Sequence, residues 1–267
     1  MMSNQQTGQV IRSAAEIYDE FFVPALFGEW AEPVADAAQL APGQQVLDVA
    51  CGTGVLARAV HRRVQPGGAV IGVDINEGML SVARKKAPAI DFREGNVQAL
   101  PLDDAQFDAV VCQFGLMFFT DRVQAIQEMM RVLQPGGRMA VAVWDAVENI
   151  EGYAPLANLM DQLYGQETGD AVRSPFVLGN ADLLRDLFAD AGADTVELIH
   201  GVGTMRFPSL RDWLTTEIRG WILADRLNDE QFEEFLSEAT SILAPYVMAD
   251  GSVALKAPAF IVTMTKE

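Results

Sequence analysis

Residues 46–54 read Val-Leu-Asp-Val-Ala-Cys-Gly-Thr-Gly: an apolar run that carries one acid and ends in two closely spaced glycines. A helical apolar pattern follows over 55–64. A buried-type strand that opens through a glycine turn into a helix is the first half of a β-α-β unit, and the same alternation recurs down the chain. Strands are predicted at 45–49, 70–74, 90–93, 107–112 and 139–144, and helices at about 55–64, 77–86 and 122–133. Asn76 suits an N-cap. The runs Gln65-Pro66-Gly67-Gly68 and Gln134-Pro135-Gly136-Gly137 stop what precedes them. Past Trp144 the pattern loosens through Gly179. A helix at 182–191 then leads into a strand at 196–204, and a last strand is read at 260–265. Between those two strands, 209–248 has helical periodicity and little β character. The run from Asn228 to Glu234 reads as the acidic start of a helix, where early carboxylates suit the dipole. Seven strands in this order predict an α/β fold: a mostly parallel, Rossmann-like sheet with helices on both faces and helical caps inserted late in the chain.

Composition narrows the partners. Half of the 267 residues are hydrophobic and 21% are charged, enough apolar material for a core. The net charge of −18 opposes phosphate backbones and anionic headgroups, so neither nucleic acid nor a membrane surface is expected as partner. The polar first twelve residues lack the apolar stretch of a signal peptide, and no apolar run of about 18 residues appears, so membrane insertion is not expected. Two cysteines, Cys51 and Cys112, give neither a disulfide framework nor a metal cluster, and a cytoplasmic location is expected.

The glycine turn lets a ligand touch backbone, because Gly52 and Gly54 lack the Cβ that would hold it off and the following helix offers free N–H groups. Two cofactor classes fit. Gly52-Thr53-Gly54-Val55-Leu56-Ala57 matches the dinucleotide pattern G-x-G-x-x-A, with Asp74 at a suitable distance for ribose hydroxyls, which supports an NAD(P)-dependent oxidoreductase. Against it stands Asp48, an acid close to where an anionic pyrophosphate would lie. S-adenosylmethionine has no phosphate and carries a sulfonium and an ammonium, so a carboxylate at the base of the loop favours it. The plainer alternative is that Asp48 caps the loop's amides.

At this point the sequence resembles the class I S-adenosylmethionine-dependent methyltransferases, in particular the group containing the ubiquinone and menaquinone biosynthesis C-methyltransferases. Residues 46–54 are similar to that family's first motif, with Ala50 in place of its first glycine beside Cys51, Gly52 and Gly54; alanine is small, so the change is expected to be mild. Residues 70–76 and the following Gly78-Met79-Leu80 resemble the second motif, which implies that Asp74 holds the ribose and that Ile75 and Met79 sandwich the adenine. Gly95-Asn96-Val97 opens a stretch similar to the third, with Asn96 where the family usually has Asp; its carbonyl can still accept from the adenine amino group. Residues 107–113 are similar to the fourth strand, which implies that Gln113 meets the methionine part of the cofactor. The 18–30 stretch resembles a helical lid in which Tyr18 approaches the cofactor. The resemblance covers about 41–144 and implies a lid over 1–40 and a methyltransferase domain over 41–267, with cap insertions at about 145–179 and 205–258.

Methyl transfer from a sulfonium needs positioning and exclusion of water more than a base. His61 and His200 are read as structural or surface residues, and no metal set is recognisable. Cys51 and Cys112 lie in apolar strand ends without a histidine partner and are read as packing. Tyr153, Tyr164, Phe176, Trp213 and Trp221 lie in the caps and together suggest an apolar pocket for a small, apolar or aromatic acceptor. No catalytic residue stands out, which leaves room for a non-catalytic S-adenosylmethionine-binding protein.

Overall fold

The computed structural model describes residues 12–219 and 227–267, and Trp221 lies outside them. The chain enters through α1 (Arg12–Ile17), passes into a π-helical stretch at Tyr18–Phe27 and a 3₁₀ turn at Gly28–Trp30, and continues as α2 (Ala31–Ala37). Then the alternating part begins: β1 (Gln45–Val49), α3 (Val55–Val64), β2 (Ala69–Asp74), α4 (Glu77–Lys86), β3 (Asp91–Glu94), β4 (Phe107–Gln113), α5 (Arg122–Val132) and β5 (Leu133–Trp144). The seven strands form one sheet of order β3-β2-β1-β4-β5-β7-β6. The first five are mutually parallel, and β7 (Val253–Thr265) runs antiparallel between β5 and β6 (Glu197–Phe207). The strand order reverses between β1 and β4, the place where open α/β sheets leave a crevice at their carboxyl ends.

The local reasons are visible in the sequence. The inner strands are near-continuous apolar runs because both faces are covered: Val46, Leu47 and Val49 of β1 and Val110, Val111 and Cys112 of β4 are fully buried. Asn76 caps α4 as expected, its Oδ1 accepting from the Met79 N–H at 3.1 Å. Asn228 and Gln231 form a reciprocal capping box at the start of α10 (Asp229–Leu243).

Three readings need correction. The Pro135-Gly136-Gly137 segment is an extension of β5 rather than a turn before it, because Gly136 donates to the carbonyl of Lys266 and Lys266 donates to that of Gly137. Strand β7 begins seven residues before Phe260 and pairs along the whole of β6. The loose stretch after Trp144 contains two helices, α6 (Tyr153–Tyr164) and α7 (Gln166–Arg173). They precede α8 (Ala181–Asp190), and α9 (Leu210–Arg219) lies in the later cap.

The entering segment packs on the carboxyl end of the sheet through aromatic rings. Tyr18 stacks on Phe22 and Phe27, with centroids 5.5 and 5.3 Å apart, and Trp30 meets Phe114 and Trp144 edge-on. Ion pairs from Glu16 to Lys85 and from the buried Asp19 to Lys86 tie the same segment to α4.

Candidate active site at the sheet switch point

A cavity of about 230 Å³ opens where the sheet order reverses. Its walls are the ends of β1, β2 and β4, the turns that follow β1, β2, β3 and β4, and Tyr18 of the entering segment. Of the thirteen residues singled out in the sequence, ten line it: Tyr18, Ala50, Gly52, Asp74, Ile75, Met79, Gly95, Asn96, Val97 and Gln113. Asp48, Cys51 and Gly54 do not.

Asp74 organises the floor. Its Oδ2 accepts the Gly52 N–H at 2.9 Å and its Oδ1 accepts the Asn76 N–H at 2.8 Å, so one carboxylate fixes the turns after β1 and β2 together. Burial raises the pKa of this carboxyl, and the amide hydrogen bonds oppose the rise. Gly52 has φ +54°, and a Cβ built there meets no atom within 4 Å, so its missing side chain leaves room for a ligand against the backbone. Ile75 is half exposed over the cavity, while Met79 is buried at its wall. Asn96 already accepts the Gln98 N–H through Oδ1 at 2.9 Å, which leaves its second lone pair for a ligand donor.

Ala50 sits at φ +53°, in the left-handed region. The expectation of a mild exchange rested on size, whereas the constraint is conformational: a non-glycine residue there costs of order 1 to 2 kcal/mol. Phe114, beside the same cavity, has φ +55°.

Asp48 lies one layer below, 1% exposed, against a small side pocket that it shares with Tyr18, Cys51, Gly52 and Gln113. Its Oδ2 has no hydrogen-bond partner among the described residues, and neither has Oε1 of Gln113, whose Nε2 donates to the Phe27 carbonyl at 2.9 Å. Burial pushes the Asp48 carboxyl well above its ordinary range. Two buried acceptors without donors beside a glycine turn fit a cationic group such as an ammonium. An anionic pyrophosphate would find neither.

Burial also raises the thiols, Cys51 well above its usual value and Cys112 to about 12, which removes thiolate chemistry. His61 lies in α3 and His200 in β6, where its Nε2 meets Asp145 Oδ2 at 2.8 Å. No group of three or more His, Cys, Asp or Glu side chains among the described residues is arranged to hold a metal.

A second, apolar cleft adjoins the first through Phe114 and Phe118, which line both. Phe27, Trp144, Tyr153 and Phe176 line the cleft, together with one acid, Glu217 of α9. Tyr153 donates to Glu217 Oε1 at 2.5 Å, and burial raises the Glu217 carboxyl to about 7. Trp213 is fully buried behind Tyr153, and Tyr164 donates to the Gln231 carbonyl at 2.9 Å. Glu217 escaped the sequence reading because an acid in an amphipathic helix looks like a solvated residue; its tyrosine partner is 64 positions away.

The seven-stranded sheet, with one antiparallel strand and a glycine turn at its switch point, defines a Rossmann-like α/β protein with the methyltransferase architecture. It superimposes on the Bacillus subtilis YcgJ protein with a TM-score of 0.61 at 18% identity, over 90% of this chain and 98% of that one. On a SAM-dependent methyltransferase from Aquifex aeolicus it scores 0.53 at 19% identity, over 72% and 91%. A methyltransferase-domain profile matches residues 46–137. In sequence the chain is 35% identical over 183 residues to the demethylmenaquinone methyltransferase of Staphylococcus carnosus, covering 63% of this chain and 76% of that protein. It is 37% identical over 158 residues to a ubiquinone/menaquinone biosynthesis C-methyltransferase of Xanthomonas oryzae, covering 56% and 62%. The match to the demethylmenaquinone methyltransferase of Renibacterium salmoninarum is 42% over 113 residues and spans 46% of that protein's length. The chain belongs to the class I S-adenosylmethionine-dependent methyltransferases, in the group that contains these quinone-pathway enzymes.

Proposed function

We propose that this protein transfers a methyl group from S-adenosylmethionine to a small, apolar or aromatic acceptor. The carrying observation is the pairing of the Asp74–Gly52 floor with two donor-less buried acceptors, Asp48 Oδ2 and Gln113 Oε1, at the switch point. When bound, the cofactor supplies an electrophilic methyl group. Asp74, already fixed by two amides, holds the ribose; Ile75, Met79 and Val97 enclose the adenine; Gly95, whose Cβ would collide with Val73, lets the wall pack tightly there, and Asn96 accepts from the adenine amino group. Ala50, Cys51, Gly52 and Gly54 shape the turn, and Asp48 acts from beneath it through charge. Gln113 and Tyr18 close the methionine end, and the rings of Phe114, Phe118 and Phe119 offer faces that suit a sulfonium and exclude water.

In this reading residues 1–40, of which 1–11 lie outside the described residues, act as lid, and 41–267 form the catalytic domain with caps at about 145–179 and 205–258, the latter described except for 220–226, that shape the acceptor pocket. The acidic surface and two buried free thiols suit a cytoplasmic enzyme without nucleic-acid partners. No described helix is long and apolar enough to cross a membrane.

Thermal shift tests this reading, because a ligand that binds the native state alone must stabilise it. S-adenosylhomocysteine is expected to raise the midpoint while NAD does not. A shift with NAD alone would replace the proposal with an oxidoreductase, and turnover on an acceptor separates an enzyme from a cofactor-binding protein without catalysis.

A further inference from the structure

The cleft beyond Phe114 and Phe118 is walled by aromatic and aliphatic side chains from the lid, β5, β6 and the cap. At about 30 Å³ it has room for a hydroxyl and the edge of a ring, not for a whole acceptor, and it opens beside the larger cavity. Into this apolar space the caps deliver one hydrogen-bonded polar pair, Tyr153 on α6 and Glu217 on α9. A carboxylate among phenyl rings costs stability, and groups held at such a cost cluster at functional sites. Of the described groups lining the cleft, only these two titrate.

We propose that Glu217, oriented by Tyr153, receives a hydroxyl of the acceptor and takes its proton, which makes it the base of the methyl transfer. The inference rests on the methyltransferase reading and assigns that reaction a catalytic residue. The acceptor O–H bond breaks, the proton passes to a carboxylate oxygen of Glu217, and the electron pair stays on the phenolate. The phenolate forms the new bond to the methyl carbon as the carbon–sulfur bond breaks, and that bond's pair passes to sulfur, leaving a neutral thioether. Methylation at oxygen ends there, with the proton later released from Glu217 to water. Methylation at a ring carbon ends when that carbon loses its hydrogen as a proton to water and the oxygen regains its own from Glu217.

Burial places the Glu217 carboxyl at about 7, where it is divided between acid and base near neutrality, and the Tyr153 hydrogen bond opposes the rise. A pair whose only task is to fasten α9 to α6 would show no preference for a hydroxyl on a bound ring.

The test uses two probes of matched shape, 4-methylphenol and 1,4-dimethylbenzene, titrated calorimetrically into the full chain saturated with S-adenosylhomocysteine. The wild type is expected to bind the phenol about tenfold more tightly, the scale of one hydrogen bond to a charged acceptor. That preference should fade below pH 7 as Glu217 protonates. In Glu217→Gln it should drop to about two- to threefold and lose its pH dependence, and in Glu217→Leu it should vanish. Both variants should bind S-adenosylhomocysteine like the wild type, which also reports that they fold. An unchanged preference in the variants, or no preference in the wild type, overturns the inference and leaves the methyltransferase reading standing. Failure of the wild type to bind S-adenosylhomocysteine overturns both.

Discussion

Asp74 Oδ2 accepts the backbone N–H of Gly52 at 2.9 Å, so the end of β2 and the glycine turn after β1 are one unit rather than two loops that happen to be adjacent. Replacing Asp74 with Ala frees both the Gly52 and the Asn76 amides and removes the proposed ribose acceptor. Calorimetry with S-adenosylhomocysteine should register a loss of about 1 to 3 kcal/mol, and Asp74→Asn should fall between, since its amide carbonyl can serve one of the two backbone donors. Wild-type affinity in the alanine variant would remove Asp74 from the site.

Ala50 offers the opposite kind of test. Its left-handed φ of +53° is strained for any residue with a Cβ, and glycine would relieve this at the cost of a more flexible unfolded chain. Ala50→Gly should stabilise the protein by about 0.5 to 1 kcal/mol in denaturant titration. A destabilised variant would mean that the Ala50 methyl contributes more by packing than it costs in backbone strain.

How much of this was legible beforehand depended on locality. The stretch from β1 to α4 was readable because each element there is specified within its own window: an apolar run, a glycine turn, a cap. The bounds of α3 and α4 follow directly from the periodicity over 55–64 and 77–86. Helices α6 and α7 were not readable because Pro155 and Gly169 interrupt their pattern and Gly165 divides them after short runs, while burial of Leu156, Ala157 and Met160 holds α6 against the fold. The first half of β7 was hidden by Lys256 and Pro258, which look like strand breakers until pairing with β6 explains them. The site divides the same way. Ten cavity residues belong to local motifs, whereas the Tyr153–Glu217 pair exists only through folding, and the turning of an acid of α9 into the cleft leaves no mark on the sequence.

The lid depends on a charge contact across the fold. Asp19 is 5% exposed, its Oδ2 pairs with Lys86 Nζ on α4, and its Oδ1 has no partner among the described residues. Lys86→Met strands a buried carboxylate, so hydrogen exchange in 18–30 should accelerate while β1 and β4 keep their protection. The expected loss is about 1 to 3 kcal/mol, confined to the lid. Adding Asp19→Leu removes the unpaired charge and should restore most of the protection, because a buried ion pair exchanged for apolar side chains is often near neutral. Uniform acceleration over the whole chain would show instead that the lid and sheet unfold together.

Glu217 makes a prediction about stability that is independent of any ligand. Its carboxyl lies at about 7 in the folded protein against an ordinary 4.5, with burial as the cause, so the folded state holds a proton that the unfolded state has already released. Stability therefore falls as pH rises from about 4.5 to about 7, the sign opposite to that of a salt-bridged carboxylate. Asp48 and Asp74, whose carboxyls desolvation also raises, add slopes of the same sign, so the wild-type curve alone does not isolate this group. The difference between wild type and Glu217→Gln does. At pH 5 the two should differ little, since both present a neutral side chain to the cleft; by pH 8 the glutamine variant should be the more stable of the two, as judged by denaturation midpoints. Tyr153→Phe sharpens the result, because removing the hydroxyl that favours the charged form should raise the Glu217 carboxyl further and move the fall in stability to higher pH. A wild-type minus variant difference that is flat from pH 4 to 8 would place Glu217 in contact with solvent and remove it from the cleft.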